Sequence, residues 1–149
     1  MNLKNYTSTV PASTSMSRIM KSLVEAGATD ISMKYTDQIC TAITFRMVIA
    51  GQVPMFFQLP AKIDPCFKVL YAEVKRPQPD TKKRIREQAE RTAWKIVSDW
   101  VDIQLSMIQL EQAEPLQVFL PFVYDPAKEQ TFYDQLKESN FKGLLPANK

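Results

Sequence analysis

The sequence predicts an α+β fold: an N-terminal helix, a three-stranded antiparallel meander, and a helical C-terminal half with one long central helix. Three observations predict it. Apolar residues recur at helical spacing from Met16 to Val24, and they alternate with polar ones in short runs between residues 31 and 59. A helical period then returns over a long stretch beginning near residue 80. The chain has 149 residues, enough for a single domain with a real core. Within it we read an extended arm (1–12), an α/β-meander part (13–76) and a helical part (80–145).

The arm is polar and ends in Val10-Pro11. Serines and threonines at 13–15 offer an N-cap; Met16, Ile19, Met20, Leu23 and Val24 follow, and Gly27 supplies the stop, giving a helix over 15–26. Ile31, Met33 and Tyr35 alternate with Ser32, Lys34 and Thr36, the mark of a strand with one wet face. Asp37-Gln38 makes a tight turn, and Ile39, Thr41, Ile43, Phe45, Met47 and Ile49 form a longer second strand. Ala50-Gly51 marks the next turn, and 53–59 is a third strand placed at an edge by Pro54. Asp64-Pro65 has the form of a helix start, with Phe67, Leu70, Tyr71 and Val74 following; a strand through Val69, Tyr71 and Glu73 is the alternative. Lys75-Arg76-Pro77-Gln78-Pro79 breaks any regular element.

Asp80 or Thr81 opens the main helix, which extends to about residue 112 and is closed by the segment around Pro115. The apolar stretch 116–123, interrupted by Pro121 with Pro126 beyond, packs afterwards. A last helix covers 130–139, and Phe141, Leu144 and Leu145 dock behind it. On a wheel of about 100° per residue, Ile85, Ala89, Thr92, Ala93, Ile96 and Trp100 share one side, with Trp94 near a boundary. Arg84, Gln88, Arg91 and Lys95 share the other. The second half is different. Val101, Ile103, Leu105, Met107, Ile108 and Leu110 run most of the way around the helix. Such a segment needs cover on more than one side, from residues 116–145 or from a second copy of the chain.

The basic face gives the candidate site. Between residues 75 and 86 six basic residues meet one acid, Asp80. Lys82, Lys83, Arg84, Arg86, Arg91 and Lys95 are the candidate nucleic-acid-binding residues, neutralising backbone phosphates. The plain alternative is a solvated face, kept soluble by pairs such as Lys83 with Glu87 and Glu87 with Arg91.

Composition narrows the chemistry. The chain carries 19 basic and 16 acidic residues, a net charge of +3 that permits polyanion binding without demanding it. It has no histidine, which removes imidazole ligands and any His-containing triad. Two cysteines, Cys40 and Cys66, lie without CxxC spacing and are expected to be free and buried in a reducing compartment. Three glycines cannot build a phosphate loop or a dinucleotide fingerprint. No cofactor and no metal site is implied. No apolar run spans a bilayer and the N-terminus has no signal-peptide core, so a location in the bacterial cytoplasm, with no membrane partner, is expected.

Glu73-Val74-Lys75 with Asp64 upstream matches fragments of a metal-dependent nuclease pattern, in which paired carboxylates hold the ion that activates water. That chemistry needs the acids on adjacent strand ends, and Asp64-Pro65 has the form of a helix start instead. The cluster 13–17 has no base and is read as capping. Among the strand aromatics, Phe45 is core. Phe56 and Phe57 point to opposite faces, so one of them must find cover or a stacking partner.

The stretch Arg86-Glu-Gln-Ala-Glu-Arg-Thr-Ala-Trp-Lys-Ile-Val-Ser-Asp-Trp100 resembles a family of uncharacterised proteins encoded by phages and mobile elements. Asn5-Tyr-Thr-Ser-Thr-Val-Pro11 and Gln117-Val-Phe-Leu-Pro121 are similar to it as well. The resemblance implies a phage or prophage setting and transfers no active-site residue. The leading expectation is a non-enzymatic accessory protein that binds DNA or RNA. A protein-interaction or homo-oligomeric module using residues 101–110 comes second, and a metal-dependent nuclease third.

Overall fold

The computed structural model describes residues 2–49 and 53–147; the turn expected at Ala50-Gly51 lies outside them. The expected architecture is present. Helix α1 (Ala12–Glu25) leads into strands β1 (Asp30–Thr36), β2 (Ile39–Ile49) and β3 (Val53–Pro60), paired antiparallel in the order β1-β2-β3. Helices α2 (Ile63–Ala72) and α3 (Thr81–Gln109) follow. A C-terminal segment then holds α4 (Pro115–Phe119), a two-stranded ribbon β4 (Tyr124–Asp125) and β5 (Gln130–Thr131), and α5 (Phe132–Glu138).

Asp37 and Gln38 both take positive φ, 51° and 67°, as a two-residue hairpin of matched twist requires. β3 is an edge strand, where Pro54 lacks no ladder bond. The sheet buries Ile43, Phe45, Met47, Phe57 and Leu59 against Ile19 and Leu23 of α1 and Trp94 and Val101 of α3. Phe45 and Phe57 stack at 5.1 Å, and Phe119 of α4 closes on both edge-on or tilted. Trp100 reaches Phe119 and Phe122 at 5.9 and 5.4 Å, so the C-terminal segment covers that part of α3.

Several boundaries and contacts differ from the sequence reading. α1 starts at Ala12 behind Pro11, with no side-chain cap, so the hydroxyls of 13–17 lie inside the helix rather than capping it. α2 begins one residue before Asp64, which sits in its first turn, and the region 67–72 is helix, not strand. α3 ends at Gln109, because Glu111 turns left-handed (φ 59°), while Pro115 starts α4 instead of closing α3. Residues 130 and 131 belong to the ribbon, and Thr131 caps α5 by accepting from Asp134 N–H. Leu144 and Leu145 do not dock: they are 66% and 62% exposed.

The strict alternation of β2 also breaks. Lys34 pairs with Ala42 but Tyr35 pairs with Cys40, leaving Thr41 as a bulge. Cys40 thereby joins Ile43 on the inner face, while Ala42, on the outer face, is buried as well. The freed Thr41 carbonyl accepts from Ala61 N–H at 2.9 Å, and the Cys40 carbonyl from the buried Trp94 indole N–H at 3.1 Å. Both backbone acceptors that the bulge withdraws from the ladder are thus satisfied.

Candidate nucleic-acid interface

The six cations proposed from sequence fall into three environments. Lys82, Lys83 and Arg84 occupy the first turn of α3, exposed, and no ion pair joins them to a carboxylate among the described residues. Lys75 and Arg76, in the connection from α2, are exposed as well, five to six residues before that helix. Together they make a basic corner where the α2–α3 connection meets the start of the long helix. No acid lies in that first turn. A helix N-terminus carries partial positive charge and ordinarily attracts Asp or Glu, so the dipole opposes this placement.

Arg91 and Lys95 are engaged elsewhere. The Arg91 Nε donates to the Ser8 carbonyl at 3.2 Å and its Nη2 to the Gln88 side chain at 2.6 Å. Gln88 itself donates to the same Ser8 carbonyl, and the Thr92 hydroxyl donates to the Asn5 carbonyl at 2.9 Å. Lys95 donates to Asp99 at 2.6 Å, and Asp99 also accepts from the Asn5 amide at 2.9 Å. The N-terminal arm therefore lies against this face of α3 and its backbone carbonyls consume the donors. Burial disfavours the Asp99 anion, yet the bonds from Lys95 and Asn5 and the charges of Lys95 and Lys4 outweigh it and hold the carboxyl below its usual range. Acids are interleaved here too. Burial, and then Glu87, push Glu90 up, against the pull of Arg86 and Arg91.

Arg86 forms a third case. It pairs with Asp64 of α2 while its guanidinium lies over the Phe67 ring, 4.4 Å from the centroid. It also borders a cleft of about 570 Å3 between the hairpin end of the sheet and the start of α2. Lys34, Gln58 and Lys62 stand at its walls, and Ala42 and Pro60 lie where the bulge bends β2. Sequence reasoning missed this cleft, since its residues come from β1, β2, β3, α2 and α3; the two cations Lys34 and Lys62 gave no local signal.

The other candidates resolve simply. Asp64 and Glu73 sit at opposite ends of α2, about 13 Å apart by helical rise, so the nuclease-like pair does not converge. Among the described residues no group of His, Cys, Asp or Glu is arranged to hold a metal ion. Cys40 and Cys66 are free and buried, and burial raises both thiols. Phe57 is core, whereas Phe56 is 39% exposed on the outer sheet face. In the second half of α3, Val101 is buried and Leu105 and Ile108 pack on the core, while Ile103 and Leu110 remain 56% and 68% exposed. No helix among the described residues is long and apolar enough to cross a membrane.

Comparisons with protein-family models, with curated proteins and with solved structures return no match to this chain.

Proposed function

We propose that this chain is a non-enzymatic accessory protein of a phage or mobile element that binds nucleic acid through the basic corner Lys75, Arg76, Lys82, Lys83 and Arg84, in the cytoplasm of the bacterial host. One observation carries the reading: three successive cations occupy the first turn of α3, exposed and without a carboxylate partner among the described residues, where the helix dipole disfavours them. A face shaped only for solubility would carry acids at that end and its cations at the other. Phosphate groups supply the missing counter-charge. The resemblance of residues 86–100 to phage-encoded proteins supports the setting.

The test is fluorescence anisotropy with labelled DNA and RNA oligonucleotides across a salt series. Parent protein is expected to bind with an affinity that falls steeply with salt. The combined Lys82→Glu, Lys83→Glu and Arg84→Glu variant is expected to lose at least about tenfold, with a shallower salt slope, since each phosphate contact contributes roughly 0.7–0.9 to that slope. Equal binding by parent and variant sinks the proposal.

A second reading, self-association through residues 101–110, rests on exposed Ile103 and Leu110 near the end of α3. Light scattering that finds a strict monomer at high concentration ends it.

A further inference from the structure

The basic corner accounts for phosphate binding but not for the form of nucleic acid bound. The open sheet face adjoins it. Its outward residues follow the strand register in rows: Asp30, Arg46 and Phe56; then Ser32, Thr44 and Gln58; then Lys34, Ala42 and Pro60. Asp30, Ser32, Lys34 and Phe56 on this face are exposed, Arg46, Thr44, Gln58 and Pro60 half-buried, and Ala42 buried. The third row leads into the cleft bounded by Lys62 and Arg86. Arg86 in turn lies one helical turn beyond Lys82 and Lys83, on the same side of α3. Arg86 thus links the corner's helix to the cleft, and the third row links the cleft to the sheet face.

Each part matches a different piece of a single strand. The corner offers charges for phosphates. The cleft, of about 570 Å3, lies within the roughly 300–1,000 Å3 typical of small-molecule sites and is too small for a duplex. Its walls hold the amide of Gln58, whose Nε2 donates to the Thr44 hydroxyl at 3.3 Å and whose carbonyl oxygen can accept from a base edge, and the flat guanidinium of Arg86, paired with Asp64; Asp37 and Asp64 line it beside Lys34 and Lys62. Phe56 stands about 13 Å along the strand from Pro60, far enough for a further base to stack on the ring. In a duplex the base faces are stacked inside, so the ring cannot stack on them, and the cleft does not admit a paired base.

We propose that the cleft between the sheet and α2, with Phe56 beyond it, receives unpaired bases, so that the protein binds single-stranded nucleic acid in preference to duplex. This rests on the basic corner binding phosphate.

Anisotropy titrations of one sequence as single-stranded DNA, single-stranded RNA and duplex DNA, at two salt concentrations, test it. The parent is expected to bind a single strand at least about tenfold more tightly than duplex. Phe56→Leu and Gln58→Ala, whose side chains lie on the outer face, are expected to remove most of that preference while leaving duplex affinity within twofold. Thermal melts establish that both variants are folded. DNA and RNA arms that differ identify which polynucleotide is read; arms that agree assign the site to bases alone. Equal binding of single strand and duplex, with Phe56→Leu and Gln58→Ala silent and the corner charge reversal still damaging, overturns this inference and leaves the corner intact. No salt-dependent binding to any of the three overturns both.

Discussion

Two stretches of α3 carry the same kind of side chain and have opposite fates. Lys82, Lys83 and Arg84 project from the first turn with no carboxylate partner among the described residues, whereas Arg91 and Lys95, about two to three turns on, are committed to Ser8, Gln88 and Asp99. On a helical wheel Arg84, Arg91 and Lys95 look equivalent. What separates them is the arm, which reaches the middle of the helix and supplies backbone carbonyls there. A cation that satisfies buried or half-buried acceptors is structural whatever its charge suggests, and a cation without such partners is available to a ligand.

The largest effect that can break this comparison is a crossover of phenotypes. Neutralising the first turn, Lys82→Ala with Lys83→Ala and Arg84→Ala, is expected to cost at least about tenfold in oligonucleotide affinity and little in stability, since exposed charges contribute little to folding. Arg91→Ala is expected to do the reverse. It removes charge-assisted bonds to Ser8 and Gln88, worth about 1–2 kcal/mol at a half-buried site. Melting should then fall by roughly 2–8 °C in a chain of this size, with affinity held within twofold. If Arg91→Ala instead abolishes binding in a protein that melts normally, the two stretches are one surface.

The same contrast explains what the sequence made legible. The helix–meander–helix order, the edge position of β3 and the hairpin at Asp37-Gln38 follow from local pattern, and the structure has them; of the apolar side read on α3, Ala89, Thr92 and Ala93 are buried, and Trp94, read near a boundary, is buried with them. Two things did not follow. The bulge at Thr41 depends on the Trp94 indole and Ala61 N–H reaching β2 from distant segments. The docking of the arm depends on Asn5 and Ser8 meeting residues eighty or more positions away. Polar residues such as Asn5, Ser8 and Thr9 carry no periodic signal, so an arm that packs and an arm that is free read alike. The candidate site was accordingly half legible: charge density marked the first turn, and only tertiary contact removed Arg91 and Lys95 from it.

A smaller perturbation isolates the arm itself. Thr92→Val keeps the shape of a fully buried side chain but removes the hydroxyl that donates to the Asn5 carbonyl and accepts from Gln88. A loss of about 1 kcal/mol is expected, together with faster amide exchange confined to the first ten residues and unchanged nucleic-acid affinity. Protection that drops across the sheet as well would mean that the arm supports the whole core and not just its own docking.

The smallest effect is one of pH. Asp99 is ionised more readily in the folded chain than an ordinary aspartate, through Lys95 and Asn5. A carboxyl with a lowered folded pKa contributes stability that is fully present above the unfolded value, about 3.9, and is lost as pH falls through the lower folded value. Asp99→Asn is therefore expected to melt lower than the parent at neutral pH, by a degree or two, with the gap closing in acid. A gap that is constant from neutral to strongly acidic pH would show that Asp99 holds the arm by shape and neutral hydrogen bonding, and that the charge at the middle of α3 is as incidental to folding as the charge at its first turn.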